Sequence, residues 1–302
     1  MKFMNFSRKN APNVIRLGCV FGETCFDLTK AIGDDLLEFP RVAFTIEEAL
    51  QVKDGLSSLE EQLGQLKRSS SGIQAFLFHE TDIRLHAPIT HPSKLIGIGL
   101  NYNDHIDEFK GQPPKQPLLF AMYANAIIGP DERIIRPAMS QQVDFEAELG
   151  VIIGRRARQI PVEQAVDYVA GYTIINDVSA RDLQFSDGQW LRAKSFDTFA
   201  PMGPYLVTRE SLKDGDGLDI ELRLNGQTMQ KSNTRNMIFK VPELVSFISK
   251  VMTLEVGDVI ATGTPSGVGF VRNPQVFMKA GDVVEIEIEG IGQLRNSVVD
   301  FD

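Results

Sequence analysis

The sequence predicts a β-rich α+β protein whose strands close into a roll or barrel. Short apolar stretches are separated by glycine-rich turns, and few segments carry the three-to-four-residue spacing of a helix. Neither internal repeats nor the strand–helix alternation of a parallel sheet is found. We predict a small α+β domain over residues 1–88 and a larger domain over residues 92–302, joined by a proline-stiffened junction.

The composition is that of a folded protein and argues against binding to nucleic acid or to an anionic membrane. Of 302 residues, 43% are hydrophobic and 24% are charged, and the net charge is −9. No apolar run is long enough to span a bilayer. Two cysteines in a chain of this length favour a reducing compartment, so we expect a cytoplasmic location. Basic residues near the N-terminus, with few acids among them, leave the mitochondrial matrix as the alternative.

The first domain is predicted to contain a hairpin and an interrupted helix. Residues 13–29 read as two apolar strands on either side of a glycine-containing turn. Residues 45–66 carry apolar side chains at helical spacing, with a break near Gly55. Residues 67–72 are small and polar, which predicts a loop.

The second domain is predicted to consist mostly of strands, with two helices. The helices cover residues 161–168 and 241–254, and each has a proline near its start. The strands are predicted at residues 94–100, 144–154, 173–178, 219–224, 259–262 and 283–288. The strand at 219–224 leads into Asn225-Gly226, which is typical of a two-residue hairpin turn.

Two carboxylates on the predicted strand at 144–154 form a candidate metal site. Glu146 and Glu148 are two residues apart and therefore point to the same face of a strand. Adjacent carboxylates repel, and a hard divalent cation lets both stay ionised. Oxygen-only ligands favour Mg²⁺, Mn²⁺ or Ca²⁺ over zinc. The commoner fate of such a pair is a solvated strand face, as we expect for the alternating acids Glu285, Glu287 and Glu289.

Further residues strengthen the metal interpretation. Asp177 ends an apolar strand and supplies a third carboxylate. His105 and Glu108 are spaced so that one helical turn places them side by side, where a carboxylate orients an imidazole for general-base catalysis. The chain after Asp177 also contains three side chains that are suited to bind an anionic substrate, namely Arg181, Gln184 and Lys194.

Five segments, in this order, resemble the fumarylacetoacetate hydrolase family over about residues 92–302. They are Gly99-Leu100-Asn101-Tyr102-Asn103-Asp104-His105, Asp144-Phe145-Glu146-Ala147-Glu148-Leu149-Gly150, Asn176-Asp177-Val178-Ser179-Ala180-Arg181-Asp182-Leu183-Gln184, Lys194-Ser195-Phe196-Asp197-Thr198 and Gly263-Thr264-Pro265-Ser266-Gly267-Val268-Gly269. The branch resembled is the two-domain one that includes oxaloacetate tautomerases and 2,4-diketo-3-deoxy-sugar-acid hydrolases.

The resemblance implies a mixed β-roll for the second domain, a homodimer, and a small 2-oxo or diketo acid as substrate. It implies Mg²⁺ or Mn²⁺, with Ca²⁺ as a further candidate, held by Glu146, Glu148 and Asp177. It also implies that residues 101–111 form a lid carrying His105 and Glu108. Lys194 would meet the substrate near the metal. The residues implied to bind the substrate's carboxylate and oxo groups are Arg181, Gln184 and Thr264.

The chemistry implied is enolate control of a 2-oxo acid. The first expectation is metal-dependent hydrolysis of a C–C bond in an acylpyruvate-type 1,3-diketo acid, with His105 and Glu108 activating water. The first alternative is keto–enol tautomerisation or decarboxylation of oxaloacetate at the same site. One departure from the family is Met122, where relatives often carry lysine. It leaves open a second alternative, a catalytically weak protein that only binds 2-oxo acids.

Overall fold

A computed structural model describes residues 1–41, 44–69, 73–108 and 110–301. The β-strands are β1 Lys2–Arg8, β2 Ala11–Phe21, β3 Thr24–Asp27, β4 Leu77–Phe78, β5 Ile83–His86, β6 Leu95–Gly99, β7 Leu118–Met122, β8 Ile127–Ile128, β9 Arg133–Arg136, β10 Val143–Asp144, β11 Ala147–Ile153, β12 Val169–Asn176, β13 Ser179–Ala180, β14 Ala200–Thr208, β15 Asp219–Leu224, β16 Gln227–Asn233, β17 Val259–Ala261, β18 Val283–Ile288 and β19 Gly292–Asp300. The α-helices are α1 Leu28–Gly33, α2 Ile46–Gln51, α3 Gly55–Ser69, α4 Asn103–Glu108, α5 Arg181–Asp187, α6 Trp190–Lys194, α7 Arg209–Leu212 and α8 Val241–Val251. The predicted β-rich α+β class is confirmed.

The largest sheet connects the two predicted domains. Its strands run in the order β4-β3-β2-β1-β14-β12-β11-β17-β6-β7, with β5 on β1 and β8 on β14. The pairs β17–β6 and β14–β8 are parallel and the others are antiparallel, so the sheet is mixed. Strand β1, which the sequence pattern did not predict, pairs with β14 through Phe3 and Leu206. The division at residues 88–92 therefore stays a prediction, with one sheet crossing it.

A second sheet of five strands packs on the large one. Its order is β16-β15-β18-β19-β9. Strands β15, β18 and β19 contact β11, β12 and β14 of the large sheet. A hydrophobic cluster draws on both sheets and includes Leu149, Ile174, Leu222 and Ile286, each at most 1% exposed. Burial at this level is the main stabilising contribution to such a fold.

The predicted hairpin and interrupted helix of the first 88 residues are confirmed. Strands β2 and β3 pair across a tight turn at Gly22 and Glu23, and α2 and α3 are separate helices. Helix α2 begins with a capping box in which Thr45 and Glu48 satisfy each other's backbone amides. The loop predicted at 67–72 is wrong for residues 67–69, because they continue α3. Residues 70–72 lie outside the described residues.

The two cysteines lie on neighbouring strands and on opposite faces of the sheet. Cys19 has Phe26 as its register partner, and Cys25 has Val20. Because successive residues of a strand point to opposite faces, the thiols cannot meet. Both cysteines are buried and form no disulfide.

Most predicted strands of the second domain are confirmed, and one is interrupted. The predicted strand at 144–154 is two strands, β10 and β11, with Phe145 and Glu146 between them. Side chains replace the sheet ladder there: Asn176 Oδ1 accepts from the Glu146 amide, and Gln230 Oε1 accepts from the Ala147 amide. Residues 162–168 form a 3₁₀ helix, and α8 matches the second predicted helix.

Two smaller expectations can be compared with the structure. Glu287 is 54% exposed on β18, as expected for a solvated strand face. In the part of the chain that the structure describes, no helix is both long and apolar enough to cross a membrane.

Candidate active site

Three carboxylates meet where β11 begins and β12 ends, inside the large sheet. Glu146 precedes β11, Glu148 lies on β11, and Asp177 directly follows β12. One oxygen from each lies within 4.8 Å of the others, and all three side chains are buried. The Asp177 amide donates to the Glu146 carbonyl at 3.0 Å, which fixes the two backbones together. The interruption of the predicted strand therefore does not separate the two glutamates.

Lys194, at the end of α6, sits between two of these carboxylates. Its Nζ donates to Glu146 Oε2 at 2.8 Å and to Asp177 Oδ2 at 2.7 Å, and the lysine is 2% exposed. Burial alone would raise the pKa of Glu146, but the charges of Lys194 and Arg181 outweigh it and lower that pKa to about 2. Burial disfavours the charged form of Lys194, yet Asp177 and Glu146 raise its pKa overall. Both groups are therefore held in their charged forms at neutral pH.

The pKa values of the other two carboxylates, Glu148 and Asp177, are raised. Burial raises the pKa of Asp177 to about 7. Burial, followed by repulsion from Asp177 and Glu146, raises the pKa of Glu148 well above its usual value. Asp177 Oδ1 is buried and has no hydrogen-bond partner among the described residues. The site thus has excess negative charge, a spare buried oxygen and oxygen-only donors, which fit a hard divalent cation.

Arg181, at the first position of α5, is held by ion pairs inside the site. Its Nε donates to Asp144 Oδ2 at 2.9 Å, its Nη2 to Glu146 Oε1 at 2.6 Å and its Nη1 to Gln184 Oε1 at 2.9 Å. The family resemblance predicts that Arg181 and Gln184 bind the substrate. Both side chains do line the cavity, but these contacts also make Arg181 an internal counter-charge that orients Glu146.

Asp144 organises this part of the site and was not assigned a role from the sequence. It is 0% exposed and accepts from Arg181 and from the amides of Gly269 and Phe270. It thereby ties β10 to α5 and to the loop at 263–269. The sequence signal for it was its place at the start of the Asp-Phe-Glu-Ala-Glu motif.

We expect Asp144→Asn to destabilise the protein strongly. The change leaves the Arg181 guanidinium buried with one carboxylate fewer, and breaking a buried ion pair costs about 3–5 kcal/mol. Urea unfolding followed by circular dichroism measures it. Asp54→Asn is the matched control, because its pair with Arg155 is about half exposed and should contribute little. An unchanged midpoint for Asp144→Asn would contradict this assignment.

Helix α4 carries His105 and Glu108 over the carboxylates. His105 Nδ1 lies 3.4 Å from Glu108 Oε2, and His105 is only 5% exposed. Glu108 also accepts from the Gly267 amide at 3.1 Å. Ser232 Oγ donates to Asp104 at 2.5 Å. The helical turn predicted to pair His105 with Glu108 is present, and polar contacts hold it to strand β16 and to the loop at 263–269.

We expect the segment from about residue 103 to 114 to open in solution and to close on a ligand. Polar contacts at a helix of six residues are weak enough for local opening. Hydrogen–deuterium exchange with and without oxalate, a mimic of a pyruvate enolate, measures this. Protection should rise in the segment when oxalate is present with Mg²⁺, and equal protection would count against a lid. Phe109 lies outside the described residues.

The carboxylates and α4 enclose a cavity of about 360 Å³. The lining residues are Ile98, Gly99, Leu100, His105, Ile106, Gly111, Gln112, Phe120, Glu146, Glu148, Arg181, Gln184, Phe185, Trp190, Lys194, Thr264 and Phe270. Asp177 does not line the cavity, and its Oδ2 accepts a hydrogen bond from Lys194, which does. The cavity suits a small organic acid.

Thr264 and its loop have a structural role beside the expected one. Thr264 lines the cavity, and its hydroxyl donates to the Ala147 carbonyl at 3.0 Å. The amides of Gly263, Gly267 and Gly269 bind carboxylates of the chain itself, namely Glu148, Glu108 and Asp144.

Met122 does not line the cavity. It is 3% exposed on β7, and Phe120, two residues earlier, faces the cavity instead. The substitution noticed in the sequence therefore gives no support for a weakened site.

Another cleft of about 530 Å³ lies against residues 50–57. Its arginines pair with nearby acids, Arg155 with Asp54 and Arg209 with Asp167. No group of three potential metal ligands other than the carboxylates above occurs in the described residues. The chemistry of the protein is therefore best placed at the carboxylate cavity.

Comparison with known proteins identifies the family. Residues 94–299 match the model of the fumarylacetoacetate (FAA) hydrolase C-terminal family. An uncharacterised protein of Archaeoglobus fulgidus is 53% identical over 222 residues, which are 74% of this chain and 84% of the relative. A bovine relative named oxaloacetate tautomerase FAHD2A, mitochondrial, is 46% identical over 234 residues, 77% of this chain and 74% of that protein.

Two solved structures with similar folds agree with the sequence comparisons. A fumarylacetoacetate hydrolase from Exiguobacterium antarcticum superposes with a TM-score of 0.81 at 35% identity. A 5-carboxymethyl-2-hydroxymuconate delta-isomerase from Mycobacterium smegmatis does so with a TM-score of 0.75, also at 35% identity. Both comparisons cover 100% of each chain. With its fold, its carboxylate site and these relatives in agreement, the chain belongs to the fumarylacetoacetate hydrolase family of enzymes.

Proposed function

We propose that the protein is a divalent-metal-dependent tautomerase of a small 2-oxo acid, interconverting its enol and keto forms. The observation that carries this proposal is the buried cluster of Glu146, Glu148 and Asp177 beside the Lys194 ammonium. Relatives named oxaloacetate tautomerase, 43–47% identical to this chain, supply oxaloacetate as the first substrate to test.

The residues divide the work as follows. A hard cation bound by the three carboxylates would supply positive charge that stabilises the enolate form of the substrate. Lys194, which donates to Glu146 and Asp177, would add a second positive charge at the site. Glu108 orients the His105 ring through Nδ1, and we assign proton exchange at substrate carbon C3 to Nε2. In ketonisation C3 gains one proton and the enol oxygen loses one.

Exclusion of water supports the same reaction. His105, Lys194 and the three carboxylates are each at most 6% exposed. In such a site fixed charges act through a low dielectric and stabilise an enolate more than they would in bulk water. Helix α4 is held over the carboxylates by the hydrogen bond from the Gly267 amide to Glu108.

A second candidate is hydrolysis of a C–C bond in an acylpyruvate-type 1,3-diketo acid, the first expectation from the sequence. The contact between His105 and Glu108 favours it, because such a pair can activate water for attack on the 4-oxo carbon.

The resemblance that predicted the metal site also predicts a homodimer. Light scattering after gel filtration would test that prediction.

A substrate panel separates the two candidates. Metal-depleted protein is restored with Mg²⁺ or Mn²⁺ and given enol-oxaloacetate, acetylpyruvate and a diketo-sugar acid. Ultraviolet absorbance follows loss of the enol, and chromatography detects pyruvate and the released acid. The proposal predicts enol loss without C–C cleavage. Cleavage faster than tautomerisation would make hydrolysis the principal activity instead.

A further inference from the structure

Gln230 is a buried amide that has no part in the division of work described above. It lies on β16, the edge strand of the five-stranded sheet, and is 0% exposed. Its side chain reaches out of that sheet and hydrogen-bonds to β11 and to the loop at 263–269, two elements of the carboxylate site. Burial of an amide is costly unless its polar atoms are paired, so these partners indicate what the side chain does.

A β-bulge in β16 aims this side chain at the site. In the antiparallel pairing of β15 with β16, Leu222 is opposite Gln230, whereas the next residue, Arg223, is opposite Thr228. Met229 is therefore an extra residue on β16, and Met229 and Gln230 are both buried although they are consecutive. Consecutive residues of a regular strand point to opposite faces, and a bulge changes the direction of a side chain.

The bulge is fixed to the loop at 263–269. Arg272 Nη2 donates to the Met229 carbonyl, and Arg272 Nε donates to the Gly267 carbonyl at 3.0 Å. Gly267 has a φ of +102°, and a Cβ there would lie 2.2 Å from the Met229 carbonyl oxygen. Only glycine lets the loop approach the bulge this closely.

The Gln230 amide closes a ring of three hydrogen bonds with Ala147 and Thr264. The Ala147 amide donates to Gln230 Oε1 at 2.9 Å, Gln230 Nε2 donates to Thr264 Oγ1 at 2.8 Å, and Thr264 Oγ1 donates to the Ala147 carbonyl at 3.0 Å. Gln230 Nε2 also donates to the Pro265 carbonyl at 2.8 Å. Because a backbone amide only donates and a carbonyl only accepts, these partners fix which way the Gln230 amide faces.

The ring continues the sheet at the point where a strand has ended. Strand β17 pairs with β11 at residues 150–152, and this pairing stops before Ala147. The amide and the carbonyl of Ala147 are bound by the two side chains of the ring instead. Ala147 lies between Glu146 and Glu148, which repel each other. Holding the backbone of Ala147 therefore holds the spacing of these two carboxylates.

We propose that Gln230 is a positioning residue of the metal site, which acts through Ala147 to keep Glu146 and Glu148 at the spacing that binds a divalent cation. The inference rests on the proposed function for the cation and adds a residue from the second sheet to the site. Loss of the Gln230 amide leaves the buried Ala147 N–H without its partner. Replacing a residue that orients metal ligands weakens metal binding by about 10–100-fold.

Calorimetric titration of metal-depleted protein with Mn²⁺ measures this effect. Gln230→Met keeps the length of the side chain and removes its hydrogen bonds, so the Kd for Mn²⁺ should rise by about 10–100-fold. Thr264→Val breaks two bonds of the ring and should raise Kd less. Because both residues act in one ring, the double variant should bind Mn²⁺ about as weakly as Gln230→Met.

Two results of this titration would overturn the inference. One is an unchanged Kd in Gln230→Met, and the other is a double variant in which the two effects on log Kd add. If Gln230→Met does not fold, Thr264→Val decides, and an unchanged Kd in that variant overturns the inference.

Asn296→Leu is the matched control. Asn296 is a second buried amide, 2% exposed, whose Nδ2 donates to the carbonyls of Gly129 and Glu132. None of these three is among the described residues that line the cavity. Thermal unfolding should show a lower midpoint in Asn296→Leu, as in Gln230→Met, but Kd should stay at the wild-type value. Equal weakening of Mn²⁺ binding in both variants would show a general loss of stability and overturn the inference.

Hydrogen–deuterium exchange of the metal-free protein separates this inference from the proposed function. Exchange in residues 144–150 and 263–269 should rise in Gln230→Met and stay unchanged in Asn296→Leu. If wild type binds neither Mn²⁺ nor Mg²⁺ but exchange rises in this way, the proposed function fails and the role of Gln230 in holding the two glutamates stands. If wild type binds metal and is active, but neither exchange nor Kd changes in Gln230→Met, the inference alone fails.

Discussion

Glu148→Gln should abolish Mg²⁺ and Mn²⁺ binding and with it catalysis, while the fold is retained. The variant removes one of the three proposed ligands and replaces a charged donor with a neutral one of similar shape. Because the pKa of Glu148 is raised by burial and by its acidic neighbours, the charged carboxylate destabilises the metal-free protein. The variant should therefore be more stable than wild type without metal at pH 8.

The raised pKa values also predict how the stability of the metal-free protein changes with pH. Raised pKa values for Glu148 and Asp177, the latter about 7, mean that the folded metal-free protein binds more protons than the unfolded chain above about pH 4. Stability of the metal-free protein should fall as pH rises from about 4 to 7, and the fall should be smaller in Glu148→Gln.

Calorimetric metal titration and urea unfolding at several pH values check both parts. Glu287→Gln, at a half-exposed glutamate on β18, is the control and should keep wild-type metal affinity and slope. Unchanged affinity for Mg²⁺ and Mn²⁺ in Glu148→Gln, and likewise in Glu146→Ala and Asp177→Ala, would contradict the proposed metal site.

The second large effect is expected for His105→Ala. If the wild type cleaves an acylpyruvate, the variant should lose about 10²–10⁴-fold in that step, the usual contribution of a general base. Ketonisation should fall less, because water can deliver a proton to C3 while Lys194 and the bound cation still stabilise the enolate. Metal binding should be unchanged, since His105 is not one of the three clustered ligands.

Both rates are measured on one His105→Ala preparation whose metal content is known. His79→Ala, at an exposed histidine far along the chain from α4, serves as the control. An equal loss in both reactions would show that His105 acts on a step they share. No loss in either would exclude it from catalysis.

The periodicity of the sequence predicted the fold class, but it did not predict β1, an interior strand of the large sheet. Strands with clean alternation, such as β15, and the hairpin at Asn225-Gly226 follow from local sequence. Strand β1 does not alternate, because residues 3–7 are all buried where it crosses between β2, β5 and β14. Burial on both faces is a property of the assembled sheet, which a local pattern does not carry.

The parts of the candidate site that depend on short sequence intervals were predictable. Glu146, Glu148 and the pair His105–Glu108 were found from two-residue and three-residue intervals. The commitment of Arg181 to Asp144 was not, because an arginine's partner depends on which anion the fold brings near. The packing of Phe120 on Gly97 and of Trp190 on Gly99 was not predicted either, although alternating glycines in an apolar strand are a usable signal for close packing.

Stopped-flow ketonisation of enol-oxaloacetate by metal-depleted protein, before and after addition of Mg²⁺ or Mn²⁺, tests the central claim most directly. The account predicts almost no acceleration over buffer without metal, strong acceleration when metal is restored to wild type, and none when it is added to Glu148→Gln. Acceleration that is equally fast with and without metal, or that is restored by metal in Glu148→Gln, would contradict it.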